Sequence, residues 1–99
     1  MLIYEVRVEV REDIVEAFAF YMQRKHLPKI LATGCFQTIR FERGDDGVFR
    51  SRYEAATRAD LDRYLKDHAP HFRADFMEHL SEGCTVSRTV WEEVKTFNR

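Results

Sequence analysis

The spacing of apolar residues changes along this chain in the order strand, helix, strand, strand, helix, strand, and that order leaves few folds open. The first ten residues, MLIYEVRVEV, alternate between apolar and charged side chains from Tyr4 to Val10. A period of two is typical of a strand with one buried face. The segment is therefore predicted to be a strand whose even-numbered side chains face the core.

A helix is predicted to follow from about Asp13 to His26. Asp13 and Glu16 form a helix-start signal, because their side chains can satisfy free amide groups of the first turn. Pro28 is predicted to end the helix, because proline has no amide hydrogen and restricts the residue before it, and LPKILA to add one further turn before Gly34. The apolar stripe of this helix contains Ile14, Phe18, Tyr21 and Met22.

Two further strands, CFQTIRFE and VFRSRYEAA, are joined by the turn sequence GDDG at residues 44–47. Thr57 begins a second helix with the same capping pattern, and this helix continues to about Leu80 with an interruption at Pro70. The last strand is predicted over Cys84–Val94. Right-handed crossovers turn this order into an α+β, ferredoxin-like βαββαβ fold: one four-stranded antiparallel sheet, order 4-1-3-2, with two helices on one face.

Composition restricts the protein to a few classes. Its 99 residues are enough for one domain, residues 1–99, and its 16 Lys and Arg against 17 Asp and Glu lack the basic excess of nucleic-acid-binding proteins. No apolar run reaches the roughly 18 residues of a membrane-spanning helix, and the alternating first segment is unlike a signal peptide. We expect a cytoplasmic protein that binds neither nucleic acid nor membrane.

The cysteines are not placed to form a disulfide, and the histidines and acidic residues are not placed to bind a metal. Cys35 and Cys84 begin the two edge strands, roughly 14 Å apart, whereas a disulfide needs Cα atoms within about 7 Å. They are expected to be free thiols, as in a reducing compartment. His71, Asp75 and His79 share one helix ridge but can offer a metal only two ligands at a time. We predict no metal site and no cofactor.

The candidates for a ligand site lie around the second helix. His68 lies on the sheet-facing stripe of that helix, next to Pro70, which interrupts the backbone hydrogen bonds there. Arg88 interrupts an otherwise valine-lined face of the last strand, and a buried guanidinium would select a carboxylate or phosphate. Tyr53 and Tyr64 face the same space. A pocket between sheet and helices, lined by these four residues, is therefore one hypothesis.

Each candidate also has a purely structural interpretation. His68 could be a core histidine with both nitrogens bonded, and Arg88 could lie along the surface in an ion pair. Two classes of function stay open: binding of a small anionic or aromatic metabolite, or a non-enzymatic interaction or regulatory module without a pocket. No nucleophile with a base and no phosphate loop is present, so an enzymatic activity is neither predicted nor excluded. Empty space near His68 would favour the pocket.

A second copy of the chain is the expected protein partner. The sheet face turned away from the helices is predicted to be mostly charged, so its pattern alone also permits a monomer. Exposed apolar side chains are enriched at interface centres. The candidates for a homodimer contact, which we expect to be polar and ion-paired, are Phe20, Phe36, Val48 and Trp91.

The run LDRYLKDHAPHFRADFMEHL, followed by SRTVW, resembles an uncharacterised bacterial family, domain of unknown function 4286. The spacing from His26 to Phe36 is similar to a His-to-Phe spacing in that family, which adds His26 to the pocket candidates. The resemblance implies a ferredoxin-like dimeric α/β barrel, with two sheets packed face to face, and implies no established activity. Other matching positions are Tyr53, Tyr64, His68, Ala69, Arg73, Ser87 and Arg88.

Overall fold

The chain folds into one antiparallel sheet with helices on one face. The structure is a computed structural model, and it describes all residues from Met1 to Arg99. Every strand pairing is antiparallel, and the strand order is β2-β3-β1-β4. Read from the opposite edge, this is the predicted order 4-1-3-2, so the α+β, ferredoxin-like fold is confirmed. The strands are β1 Leu2–Val10, β2 Thr38–Arg43, β3 Phe49–Ala55 and β4 Cys84–Glu92.

The first helical region does not end at Pro28. A π-helical segment, Met22–His26, precedes the proline and leads into the next helix, in which Pro28 is the second residue. The Leu27 amide just before it donates to the Met22 carbonyl, so the i to i+5 bonding of the π-helical segment leads directly into this helix. The helices are α1 Val15–Tyr21, α2 Leu27–Leu31, α3 Arg58–Asp67 and α4 Ala69–His79, with a 3-10 turn at Glu12–Ile14.

Only one of the two predicted helix caps is present. The Thr57 hydroxyl accepts a hydrogen bond from the Asp60 amide at 3.2 Å and caps α3 as predicted. Asp13 does not cap α1, because it lies in the 3-10 turn and its carboxylate accepts a hydrogen bond from the side chain of Arg11. The Asp13 carboxylate therefore bonds to the nearby Arg11 side chain and not to the helix amides.

Aromatic side chains dominate the core between sheet and helices. Phe18 of α1 is fully buried, and its ring centroid lies 5.1 Å from that of Phe49 and 6.0 Å from that of Phe41. The ring of Phe76, from α4, lies 6.3 Å away on the other side. This cluster joins both helical regions to the β2–β3 hairpin.

The opposite side of the sheet, here called the open face, is mostly charged, as predicted, and its charged side chains form ion pairs. Arg50 donates to Glu42 at 2.8 Å and lies 3.7 Å from Glu5, so three strands are linked through one guanidinium. Trp91 pairs with Ile3 across β1 and β4 and is 52% exposed. The open face therefore carries one apolar corner beside a charged surface.

The four predicted dimer contacts lie in different places. Phe36 is buried in the core at 5% exposure, not on the open face, and its ring lies 4.8 Å from that of Tyr64. It precedes β2, so strand alternation does not set its direction. Val48 lies in the turn before β3, and Phe20 is 60% exposed on α1, on the helical side of the sheet. Trp91 alone is an exposed apolar residue of the open face.

Cys35 and Cys84 are both free thiols, as predicted from their positions at opposite edges of the sheet. None of the helices has the length and apolar character needed to cross a bilayer.

Candidate functional site

A cavity of about 310 Å³ lies between α4 and the β1–β4 half of the sheet. Arg73, Met77 and Arg88 are exposed at its outer edge, so the cavity is accessible there. Its volume is at the lower end of the range for small-molecule sites. The lining is mainly apolar and consists of Tyr4, Val6, Val8, Met22, His26, Tyr53, Tyr64, Phe72, Arg73, Phe76, Met77, Cys84, Val86 and Arg88.

The sheet side of the cavity follows from strand alternation. Val6 pairs with Arg88 and Val8 with Val86, so these four side chains share the helix-facing surface of β1 and β4. Valines are short, and β4 is an edge strand that the helices cover only in part, since Val86 is half-buried. Space therefore remains above this part of the sheet, whereas the β2–β3 half is filled by phenylalanine rings.

Three buried tyrosines close the far end of the cavity. The ring centroids of Tyr4 and Tyr53 lie 5.6 Å apart, and the ring of Tyr64 lies 6.1 Å from Tyr4. Burial raises the pKa of the Tyr53 and Tyr64 hydroxyls, so both stay protonated at neutral pH. They are neutral groups that can donate a hydrogen bond to a ligand.

Two guanidinium groups stand over this tyrosine cluster. Arg73 donates a hydrogen bond to the Tyr4 hydroxyl at 3.2 Å, and neither Arg73 nor Arg88 belongs to any ion pair of the chain. Although burial raises the pKa of Tyr64, both cations are close enough to oppose that rise. The cavity therefore has positive charge without a carboxylate partner.

A hydrogen-bonded chain lies at the other end of the cavity. The Tyr21 hydroxyl is 2.8 Å from Oδ2 of Asp75 and 3.2 Å from Nδ1 of His26. The ring of His79 stacks on Tyr21 at 4.6 Å and its Nδ1 is 2.9 Å from the Asp75 carbonyl oxygen. Burial lowers the pKa of His26 to about 4, so its imidazole is neutral at physiological pH.

The π-helical segment makes this chain of hydrogen bonds possible. Residues five apart, such as Tyr21 and His26, point about 140° apart on a regular α-helix. A π-helix bonds residue i to residue i+5 and so places them on one face. The π-helical segment before Pro28 therefore also places His26 on the side of the helix that lines the cavity.

His68 lies outside the cavity lining. It is half-buried at the junction of α3 and α4, its ring centroid is 6.2 Å from that of Tyr64, and its side chain makes no hydrogen bond. The other pocket candidates, Tyr53, Tyr64, Arg88 and His26, do line one cavity. No cluster of three or more His, Cys, Asp or Glu side chains is placed to hold a metal ion.

Several cavity residues were missed by sequence reasoning. Arg73 is spaced i, i+3 and i+4 from Phe76 and Met77, which also line the cavity, so helical spacing was a usable signal. Tyr4 alternates with Val6 on the core face of β1 and was likewise identifiable. Nothing local signals the link between Tyr21 and Asp75, because these residues meet only in the folded chain.

Solved proteins of low sequence identity share this fold. One from Deinococcus radiodurans, provisionally named an antibiotic biosynthesis monooxygenase, is 13% identical with a TM-score of 0.71, covering 100% of this chain and 98% of that one. Another so named, from Nitrosomonas europaea, is 16% identical with a TM-score of 0.69, covering 96% and 100%. A protein of the ethyl tert-butyl ether d (ethd) family from Bacillus halodurans is 14% identical with a TM-score of 0.67, covering 95% and 100%. At such identities the likeness shows the fold alone.

Comparison with curated proteins finds no match. A family model does match, over residues 1–94, and it covers the second helical region and the SRTVW segment on which the resemblance was based. The chain therefore belongs to the family described as domain of unknown function (DUF4286).

Proposed function

We propose that this protein is a small homodimeric protein of the cytoplasm that binds a small aromatic carboxylate between its sheet and its helices. The observation that carries the proposal is the pair Arg73 and Arg88, two guanidinium groups without ion-pair partners at a mainly apolar cavity. The free thiols of Cys35 and Cys84 are compatible with a reducing compartment.

The aromatic part of the proposed ligand follows from the cavity walls. Phe72 and Tyr64 lie nearly parallel with centroids 6.3 Å apart, and Phe76 completes an aromatic wall opposite the valines of β1 and β4. A flat ring gains contact area and favourable edge or face interactions in such a site. A volume of about 310 Å³ suits one ring with a short side chain.

The anionic part follows from the charge of the site. A guanidinium can bind a carboxylate through two parallel hydrogen bonds, and such charge-assisted bonds are stronger than neutral ones. The Tyr64 hydroxyl, held neutral by burial, can donate a further hydrogen bond without adding negative charge. A cationic ligand would instead meet two like charges.

We expect 3-phenylpropionate to bind the wild type and Arg88→Gln to weaken that binding about tenfold or more. A hydrogen bond to a charged group contributes roughly 1.5 to 3 kcal/mol, and the glutamine keeps polarity but not charge. The measurement is calorimetric titration. Arg58→Gln is the matched control, because Arg58 is exposed, outside the cavity and without an ion pair.

Two results would contradict the proposal. One is equal binding of 3-phenylpropylamine, which carries the opposite charge on the same ring and chain. The other is an affinity for 3-phenylpropionate that Arg88→Gln and Arg58→Gln change by the same factor. If no aromatic anion binds at all, the alternative of an interaction module without a ligand would replace this proposal.

The homodimer is proposed to form through the open face. Glu5 and Glu54 have only 17% and 18% of their side chains exposed, so ion pairing has already partly desolvated the centre of this face. Trp91 and Ile3 add an apolar corner to it. A two-fold axis would place this face of one copy against the same face of the other, so that arginines of one copy can meet glutamates of its partner.

Trp91→Ser is expected to shift the protein from dimer toward monomer, because tryptophan is enriched among the interface residues whose truncation costs most binding energy. Sedimentation equilibrium at micromolar concentration measures the change. Phe20→Ser is the control, since Phe20 is exposed on the helical side of the sheet. A wild type that sediments as a monomer, or a dimer that Phe20→Ser weakens and Trp91→Ser does not, would contradict the proposed face.

A further inference from the structure

The donor and the acceptor of each hydrogen bond in the chain Asp75, Tyr21, His26 follow from the charge of Asp75. The hydrogen bond from Tyr21 holds the pKa of the Asp75 carboxyl below its usual range, so the carboxylate is ionised and can only accept. The Tyr21 hydroxyl must therefore donate its single proton to Oδ2 of Asp75, at 2.8 Å. The lone pairs of the Tyr21 oxygen remain available to the imidazole.

The position of the imidazole proton follows. Nδ1 of His26 is 3.2 Å from the Tyr21 oxygen, whose proton is already used, so Nδ1 must carry the hydrogen and donate it. The hydrogen bond made by one ring nitrogen sets the tautomer of a neutral histidine. Nε2 of His26 is therefore left with a lone pair and no proton.

Nε2 of His26 has no hydrogen-bond partner within the chain and is not sealed from solvent. Only one fully buried side-chain nitrogen or oxygen lacks a hydrogen-bond partner, and it is Nε of Arg52 on the open face, so Nε2 of His26 is not fully buried. His26 is only 7% exposed and lines the cavity between Phe72 and Phe76, whose rings meet its ring edge-on at 6.0 and 5.6 Å. An uncommitted hydrogen-bond acceptor thus lies in an aromatic wall.

We infer that the ligand carries a hydroxyl group that donates to Nε2 of His26, so that the cavity selects hydroxylated aromatic carboxylates. This inference rests on the proposed function, in which Arg73 and Arg88 hold the carboxylate. Nε2 of His26 then binds the hydroxyl at one end of the ligand, and the two arginines bind the carboxylate at the other end. A ligand without the hydroxyl would leave Nε2 desolvated and unpaired, which a polar site disfavours.

Matched ligands test this selectivity. The wild type is expected to bind 3-(4-hydroxyphenyl)propionate about tenfold more tightly than 3-phenylpropionate, and more tightly than the 4-methoxy analogue, which cannot donate. His26→Phe should remove the preference and still bind 3-phenylpropionate. His68→Asn should keep the preference, because His68 lies outside the cavity. A wild type that binds the three compounds equally would overturn the inference and leave the proposed function standing.

A measurement without ligand tests the tautomer itself. Ring ¹⁵N chemical shifts are expected to show that Nδ1 of His26 is protonated and that Nε2 is not. In Tyr21→Phe the partner that fixes this tautomer is lost, so the Nε2-protonated form should gain population and the preference for the hydroxyl should fall. Protonation at Nε2 in the wild type would overturn the inference. Failure of every aromatic carboxylate to bind would overturn the proposed function and this inference together.

Discussion

Replacing Phe18 with alanine is expected to lower the free energy of unfolding by about 3 to 5 kcal/mol. Phe18 is fully buried, and its ring contacts aromatic rings from β2, β3 and α4. Removal of the ring loses the transfer free energy of its carbons and leaves a cavity that rigid neighbouring rings cannot fill. Urea unfolding followed by circular dichroism, at fixed protein concentration, measures the loss.

The same helix provides the control for that substitution. Phe20→Ala removes the same group two residues away, where the ring is 60% exposed and only the Arg24 guanidinium lies over it, 5.6 Å from the centroid. Its cost is expected to stay below about 1 kcal/mol. Equal losses for the two variants would show that the layer formed by Phe18 is not the centre of the core.

Acid is expected to destabilise the wild type by roughly 3 kcal/mol between pH 6.5 and pH 4, because of His26. Burial holds its pKa at about 4 in the folded chain, whereas the ordinary value is 6.5. Between these values the unfolded chain binds a proton that the folded chain does not, so the stability falls as the pH falls. The contribution is fully present above pH 6.5.

His26→Gln tests this pH dependence, because glutamine is polar but does not titrate in the window. Urea unfolding of both proteins at several pH values should show a steep fall for the wild type and a shallower one for the variant. Asp75, whose pKa is lowered by the bond from Tyr21, adds stability that is lost only below its usual range, outside the window. Parallel curves for the two proteins would assign the acid sensitivity to other groups.

The sheet was predictable because its signals are local. The alternation of β1 and the turn at residues 44–47 each lie within one segment, and strand order then follows from crossover rules. The π-helical segment was not predictable, because apolar spacing does not distinguish an i+5 turn that absorbs Pro28 from a helix end. Phe36 was assigned to the wrong face because alternation was extended beyond the first paired residue, Thr38.

The site divides in the same way. Arg88 was found because a charge on a valine-lined face is a local anomaly, and Tyr53 followed from alternation. His68 was placed on the sheet-facing stripe by continuous helical spacing, but the helix is interrupted there and the ring lies beside the cavity wall. The bond between Tyr21 and Asp75 joins residues 54 apart, so no spacing rule could reveal it.

The most direct test of the proposed function is to locate the binding site of an aromatic carboxylate. Changes in methyl chemical shifts on adding 3-phenylpropionate locate it. Shifts are expected at the methyl groups of Met77, Val6 and Val86, which line the cavity. Val48 and Val94 lie outside it and should not respond. Shifts confined to Val48 and Val94, or no shift at any methyl group at saturating ligand, would contradict a binding site between the sheet and the helices.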